Sequence, residues 1–175
     1  MGPRRRELAL LIAALAGLAR PPANASANPV LAHITRTVSG ESTLLNLNPG
    51  HHGVDARATQ SLRELMRDLA TGRSVSPAPE LVHLVAALAQ AFPGQTISII
   101  QGYADPKRSS SAKSHEEGRA LDLRISEVDC TDIERFLVQR PRLIARVGCF
   151  PNATFFHVDV GRRRGIWVDP SVGLD

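Results

Sequence analysis

The sequence contains few cysteines, few aromatic residues and no long apolar run. Only Cys130 and Cys149 occur among its 175 residues, and their spacing does not suggest a cysteine-based metal site. The apolar segment Leu8–Ala19 has 12 residues, which is too short for a membrane span. Internal repeats and low-complexity tracts are missing as well. These features favour a single ordinary domain with one core and no stable membrane span.

The N-terminal segment has the parts of a secretory signal peptide. Three arginines at Arg4–Arg6 precede the apolar segment Leu8–Ala19, and small residues at 23–25 or 25–27 offer a cleavage site. A buried helix or a retained anchor is the alternative interpretation. We expect residues 1–25 to be a signal peptide and residues 26–175 to form a domain that is exported to the periplasm or cell envelope.

Net charge argues against a nucleic-acid partner. The whole chain carries +4, but the first 25 residues hold four arginines and one glutamate, so only +1 remains for the rest. No basic stripe interleaved with aromatic residues is left to follow a phosphate backbone. The one basic run, Arg162–Arg164, predicts a solvated loop, with contact to an anionic wall polymer as the minority interpretation.

Two short runs in the second half alternate apolar and polar residues, as a strand with one buried face does. In the run A-L-D-L-R-I, Asp122 and Arg124 share the polar face. In the run F-F-H-V-D-V, His157 and Asp159 share it. Strands hold side chains more firmly in position than loops do, so these runs are candidates for building a site.

Histidine and carboxylate are ligands that zinc prefers, and three protein ligands are typical of a catalytic zinc site. His115, Asp122 and His157 supply such a set if the two strands are neighbours. Two neutral imidazoles and one carboxylate would leave the ion a charge of about +1, which favours acidification of water and hydrolysis. Taken singly, each histidine is more often a packed or surface residue, and each aspartate more often a turn or cap.

The same residues carry a resemblance to a known family. The pattern H-x-x-G-x-A-x-D begins at His115 and ends at Asp122, and F-F-H-V-D-V follows around His157. This arrangement resembles the zinc murein endopeptidase K family. The likeness is good from Leu81 to Asp169 and weaker over residues 51–73.

The resemblance implies an α+β fold, with a small antiparallel sheet and helices packed on one side. D-alanyl-D-alanine peptidases, lysostaphin-type enzymes and the hedgehog signalling domain are similar at greater distance. It further implies that His115, Asp122 and His157 bind Zn²⁺, and that the substrate is a peptide of peptidoglycan. The expected function is that of an exported, monomeric zinc metallopeptidase, a murein endopeptidase that acts on peptide stems or cross-links during cell-wall remodelling.

One departure from the family concerns positive charge. Members usually have arginine after the tyrosine of a Gly-Tyr-Arg stretch, where this chain has Ala104 after Tyr103. Tyr103 is expected near the site, where its phenol either donates to a substrate carbonyl or packs. Three residues are candidates to replace the missing charge at the substrate: Lys107, Arg108 and Arg124.

The second departure concerns the general base. In D-alanyl-D-alanine peptidases a carboxylate lies three residues before the last histidine, and this chain has Thr154 there. Asp159 is the favoured replacement because it shares a strand face with His157, and in that role it would take the proton from the attacking water. It is equally suited to orient a metal ligand. The remaining candidates are Glu116 and Glu117.

These departures support a second hypothesis: a zinc-containing module that binds or regulates the cell wall but is catalytically impaired. A periplasmic zinc buffer is a third and weaker hypothesis, because a single three-ligand site stores little metal. His51 and His52 are expected at the surface or beside the substrate. Trp167 is expected to pack at an edge of the fold rather than to support a sugar.

The other elements are read from periodicity and caps. Residues 34–47 predict a hairpin, residues 96–100 a strand and residues 166–168 a last strand. Helices are expected from Asp55 to Gly72, over residues 81–92, and after a capping box at Thr131 and Glu134. Whether the two cysteines are bridged or stay as buried thiols is left open.

Overall fold

The computed structural model describes residues 31–47, 55–107 and 113–171, which form an α+β fold with one seven-stranded sheet and four helices. The elements, in chain order, are β1 (Leu31–Arg36), β2 (Ser42–Asn46), α1 (Ala56–Leu65), α2 (Pro79–Ala91), β3 (Ile97–Gln101), α3 (Lys113–Glu116), β4 (Ala120–Ile125), α4 (Cys130–Val138), β5 (Ala145–Phe150), β6 (Phe155–Val160) and β7 (Gly165–Val168). The expected signal peptide, His51, His52 and Arg108 lie outside the described residues. No helix within the described ranges combines the length and the apolar character that crossing a bilayer requires.

The sheet is mixed, with the strand order β2-β1-β3-β4-β6-β5-β7. Its four central strands, β3, β4, β6 and β5, pair antiparallel, as do β1 and β2. The expectation of an antiparallel sheet is wrong for β1 with β3 and for β5 with β7, which pair parallel. β1 and β2 form a hairpin, and the connection through α1 and α2 returns the chain to the other side of β1, so β3 runs opposite to β2 and parallel to β1. β7 runs parallel to β5 because the chain reverses after β6 and then passes to the far side of β5.

One face of the sheet builds the core. Leu121 and Leu123 of β4 are fully buried and lie across from Val158 and Phe156 of β6. The apolar side chains of α1, α2 and α4 join this face in a single buried cluster. The opposite face of β4 and β6 carries the polar residues of both alternating runs. The alternation in the sequence therefore identified the two faces of these strands correctly.

The first helix is shorter than its apolar pattern predicts. α1 begins after Asp55, whose side chain accepts the backbone N–H of Arg57, but it ends at Leu65 rather than at Gly72. Asp68 accepts the backbone N–H groups of Ala70 and Thr71, and this local turn competes with continued helix. The strand predictions, by contrast, are confirmed: the β1–β2 hairpin, β3 and β7 are all present.

α4 is capped two residues earlier in the chain than expected. Asp129 accepts from the backbone N–H of Asp132, and Asp132 accepts from that of Asp129, so this pair is the capping box rather than Thr131 and Glu134. Cys130, the first residue of the helix, forms a disulfide with Cys149 of β5. The bridge ties the beginning of α4 to the core face of the sheet.

Candidate metal centre

Two neighbouring central strands carry two of the expected ligands. β4 and β6 pair antiparallel, and their register places Asp122 directly across from His157. Residues opposite each other on one face have Cβ atoms about 4.5–5.5 Å apart, which is close enough for both side chains to reach one ion. The condition that the two strands be neighbours is therefore met.

The third ligand reaches the site through a tight turn. His115 lies in the short helix α3, is 3% exposed, and is followed by Gly118 with a φ of +66°. A Cβ at Gly118 would lie 2.6 Å from the carbonyl oxygen of Ser76. Glycine is thus required both for the left-handed turn and for the close approach of the chain. The turn leads directly into β4, so α3 is held over the polar face of that strand.

Three ligand atoms form a compact triangle. His115 Nε2 lies 3.2 Å from His157 Nδ1, His157 Nδ1 lies 2.8 Å from Asp122 Oδ1, and His115 Nε2 lies 3.5 Å from that oxygen. Bonds of ~2.0–2.1 Å in a tetrahedral zinc site place ligand atoms about 3.3–3.4 Å apart. The three edges lie close to that spacing, so His115, Asp122 and His157 form a group that could hold a metal ion.

Each imidazole has its second nitrogen held by an acceptor. His115 Nδ1 is 2.8 Å from the carbonyl oxygen of Gly102, and His157 Nε2 is 3.3 Å from Asp159 Oδ2. A proton on each of these nitrogens leaves the lone pairs of His115 Nε2 and His157 Nδ1 directed at the triangle. Histidines that ligate metals characteristically donate their other N–H to a carbonyl or a carboxylate. This second set of contacts supports the ligand assignment independently of the triangle.

The charges in the centre are strongly coupled. Burial of Asp122 raises the pKa of its carboxyl group, but hydrogen bonds from His115 and His157 outweigh burial and lower that pKa. Burial of His157 lowers its pKa, but the hydrogen bonds to Asp122 and Asp159 outweigh burial and raise it to about 9. In the metal-free protein Asp122 is therefore a carboxylate and His157 an imidazolium at neutral pH. A metal ion would take the place of that proton.

Asp159 does not point into the triangle. It is 5% exposed, and its Oδ2 contacts His157 Nε2, the nitrogen that faces away from Asp122. Arg146 Nε lies 3.2 Å from the same oxygen and forms an ion pair with it. This is the position of a group that orients a ligand, one of the two roles that the sequence leaves open.

Arg124 shares the face of Asp122, but its guanidinium contacts the turn before β6. Its Nε donates to the carbonyl of Thr154 over 2.8 Å and its Nη2 to that of Ala153 over 3.0 Å. Thr154 has a φ of 53°, a left-handed conformation that is strained for a β-branched residue. Arg124 thus stabilises the turn that precedes the His157 strand, and its expected contact with substrate stays a prediction.

Tyr103 and the glutamates lie around the centre rather than among its ligands. Tyr103 is half-buried, and its backbone N–H donates to Met66 at the end of α1. It directly follows Gly102, the residue that holds His115. Glu117 pairs with Arg119 over 2.8 Å, and Glu116 is the last residue of α3. The roles expected for these residues stay predictions.

Trp167 is a neighbour of the centre that its sequence position did not reveal. Its ring lies 5.9 Å from that of His157, and Arg146 lies 5.5 Å from the indole centroid. A Cβ at Gly148 would lie 2.6 Å from the indole Cε2, so glycine is what allows the ring to lie over β5. The expectation that Trp167 packs at an edge is consistent with β7 ending the sheet. Only the parallel pairing of β7 with β5 reveals that this edge borders the metal centre.

The chain matches no known family model, and it matches no curated protein and no solved structure.

Proposed function

We propose that the protein is an exported zinc-dependent peptidoglycan endopeptidase that hydrolyses peptide stems or cross-links during cell-wall remodelling. The observation that carries the proposal is the ligand triangle of His115, Asp122 and His157, with the second nitrogen of each imidazole held by an acceptor. Two histidines and one carboxylate are typical of catalytic zinc sites, whereas structural zinc sites usually have four protein ligands.

The substrate class is supported by resemblance. The pattern H-x-x-G-x-A-x-D from His115 to Asp122, with F-F-H-V-D-V around His157, resembles the zinc murein endopeptidase K family. We take the four central antiparallel strands, β3, β4, β6 and β5, as the counterpart of the small antiparallel sheet in that family and in its hedgehog-like relatives. β1, β2 and β7 extend this sheet at both edges.

The residues of the candidate centre have different roles in binding zinc. Zinc in such a site supplies a Lewis acid that polarises a carbonyl and acidifies water. With zinc bound, the carbonyl of Gly102 and the carboxylate of Asp159 would each hold one imidazole in the tautomer that leaves its other nitrogen for the metal. Asp122 stays ionised because its neighbours lower its pKa. Asp159 therefore fits the orienting role best, and its use as general base is the competing assignment.

Export is supported by the disulfide between Cys130 and Cys149, because disulfides form and persist in oxidising compartments such as the periplasm and the cell exterior. The segment at residues 1–25, with its signal-peptide pattern, agrees with this destination. Both observations fit a protein whose substrate lies outside the cytoplasm.

The test uses zinc-loaded protein and purified peptidoglycan sacculi. We expect released muropeptides and new amine termini, detected by mass spectrometry, that are absent with Asp122→Ala. Asp132→Asn changes a carboxylate in the α4 capping box whose partners are Asp129 and Arg135 and none of the ligands, and this variant is expected to retain cleavage. The endopeptidase proposal is wrong if wild-type protein with one bound zinc cuts no bond.

That negative result would favour the second candidate, a zinc-containing module that binds the cell wall without cutting it. A specific observation supports this alternative: both polar residues expected to assist chemistry already have partners, Arg124 at the turn before β6 and Asp159 at His157. Thr154, at the position where D-alanyl-D-alanine peptidases have their general base, lines a small apolar cavity with Cys130 and Phe156. None of the three candidate metal ligands lines that cavity. The module would sediment with sacculi in a zinc-dependent manner and release no fragments.

A further inference from the structure

A cationic cleft of about 590 Å³ lies on the far side of Asp159 from the candidate metal centre, and none of the three candidate ligands lines it. It begins at Asp159, whose carboxylate contacts the ligand His157, and it extends over the α3 side of the sheet. Two carboxylates line it, Asp159 and Glu117. The cations that line it are Lys113, Arg119, Arg146, Arg162 and Arg163.

Both carboxylates of the cleft already have cationic partners. Glu117 lies 2.8 Å from Arg119 and 3.6 Å from Lys113, and Asp159 lies 3.2 Å from Arg146. Both carboxylates are therefore neutralised by cations of the cleft, and the five cations against two carboxylates give the cleft a net positive charge. Within the part of the chain that the structure describes, the cleft therefore lacks enough acceptors for its donors.

Two exposed arginines of the cleft have no carboxylate partner among the described residues. Among the described residues, neither Arg162 nor Arg163 has a carboxylate within 4.0 Å, and both are exposed. The Nε atom of Arg119 is buried and has no hydrogen-bond partner in the described structure. The guanidinium of Arg119 already pairs with Glu117 through Nη2, so the donors open to a ligand in the cleft are those of Arg162 and Arg163.

We propose that this cleft binds a carboxylate group of the substrate, close to the peptide bond that the metal centre acts on. The proposal rests on the proposed function for the identity of the ligand, since peptidoglycan stem peptides carry several carboxylates. Guanidinium groups match carboxylate geometry and form charge-assisted hydrogen bonds with it. The volume of the cleft suits a segment of peptide rather than a single ion.

The three consecutive arginines do not have the same surroundings. Arg162 and Arg163 line the cationic cleft, whereas Arg164 lines a different cavity with Glu134 and Leu137 of α4. Arg164 therefore provides a matched control with the same side chain, adjacent in the sequence and also exposed. A general effect of basic charge would involve all three arginines equally, and a carboxylate site would involve only the first two.

The experiment measures binding of a synthetic stem tetrapeptide to the full chain by calorimetry, both with zinc and after chelation. The wild type is compared with Arg162→Gln/Arg163→Gln and with Arg164→Gln. Because the substituted residues are exposed, all variants are expected to fold, which circular dichroism checks. The stem tetrapeptide contains a diamino acid with a carboxylate in its side chain. Two further peptides are used: one has an amide in place of the C-terminal carboxylate, and the other has an amide in place of that side-chain carboxylate.

We expect the double variant to bind the native peptide about tenfold more weakly and Arg164→Gln to bind it within twofold of the wild type. One of the two amide peptides should bind the wild type about tenfold more weakly than the native peptide does. The double variant should bind that amide peptide as weakly as it binds the native peptide. The carboxylate replaced in that peptide is then the one that the cleft binds. The proposal is overturned if the wild type does not bind, if the double variant binds like the wild type, or if Arg164→Gln weakens binding as much. Cleavage of sacculi is measured separately. If the protein cleaves sacculi with zinc but the double variant binds the peptide like the wild type, the carboxylate site is rejected and the endopeptidase proposal stands. If peptide binding depends on Arg162 and Arg163 but no bond is cut, the endopeptidase proposal is rejected and the carboxylate site stands.

Discussion

Asp159 lies two residues after His157 on the same face of β6, and its carboxylate is 3.3 Å from the imidazole nitrogen that faces away from Asp122. Alternate residues of a strand point to the same side, so this contact follows from the strand itself. It also follows that Asp159 controls which nitrogen of His157 is free to bind a metal.

Replacing Asp159 by asparagine should weaken zinc binding by about 10–100-fold, because the amide holds the tautomer of His157 less strongly than a carboxylate does. Zinc affinity is measured by competition with a chromophoric chelator. Glu117→Gln changes a carboxylate of the same cleft that contacts Lys113 and Arg119 and neither histidine, and it should leave the affinity unchanged. If Asp159→Asn keeps full zinc affinity and loses hydrolysis, Asp159 is the general base instead.

The metal-free protein should lose stability as pH rises. The folded-state pKa of His157 is about 9, above the ordinary value of 6.5, so its protonated ring stabilises the fold fully below about pH 6.5. That contribution disappears as pH rises through 9. We expect the thermal midpoint of chelator-treated protein to fall between pH 6.5 and 9.5, while His157→Gln shows a flatter profile. A midpoint that rises over this interval would contradict the ion pairs inferred for the centre.

Zinc binding should show the opposite dependence on pH. Binding displaces the proton of His157, so the apparent affinity is expected to increase by about tenfold per pH unit below pH 9. Titrations in two buffers of different ionisation enthalpy would count the released protons directly. A pH-independent affinity between pH 6.5 and 8.5 would show that His157 is already neutral without metal.

Gly118→Ala should damage both stability and metal binding. Its φ of +66° and the 2.6 Å approach of Ser76 leave no room for a Cβ, so the α3 turn must move and carry His115 with it. Gly72→Ala is a matched control, since Gly72 has a φ of +70° but no atom within 4 Å of a built Cβ. We expect the control to lose only about 1 kcal/mol of unfolding free energy and no zinc affinity. Equal zinc affinity in both variants would contradict the positioning role of Gly118.

Removing the disulfide should lower the free energy of unfolding by about 3 kcal/mol, because it closes a loop between residues 19 apart in the chain. Urea unfolding of Cys130→Ala/Cys149→Ala is compared with that of the wild type, with and without reductant. Reductant should destabilise only the wild type. Unchanged unfolding of the wild type in reductant would mean that the bridge adds nothing to stability.

The sequence predicted those parts of the centre that depend on local pattern. Period-two alternation was enough to group Asp122 with Arg124 and His157 with Asp159, because a strand has only two faces. The glycine of the H-x-x-G-x-A-x-D pattern, Gly118, lies in the turn between His115 and β4 and has a positive φ.

The remainder depends on contacts between distant residues. α1 ends at Leu65 although its apolar pattern continues, since Asp68 binds the following backbone and Tyr103 donates to Met66. The position of Trp167 beside His157 requires the parallel pairing of β7 with β5. The whole fold determines which strands pair in a sheet, so the sequence of a single strand does not predict its partners.

The two central strands also determine how a bound ion would leave. Asp122 and His157 lie on β4 and β6, each paired on both sides, so the backbone that carries these two ligands moves only if the middle of the sheet opens. His115 lies on a helix of four residues that one turn at Gly118 joins to β4. Local opening is cheapest where few contacts hold an element in place. Exchange of the ion with solvent is therefore expected to begin with movement of α3, at a rate set by that helix and not by global unfolding.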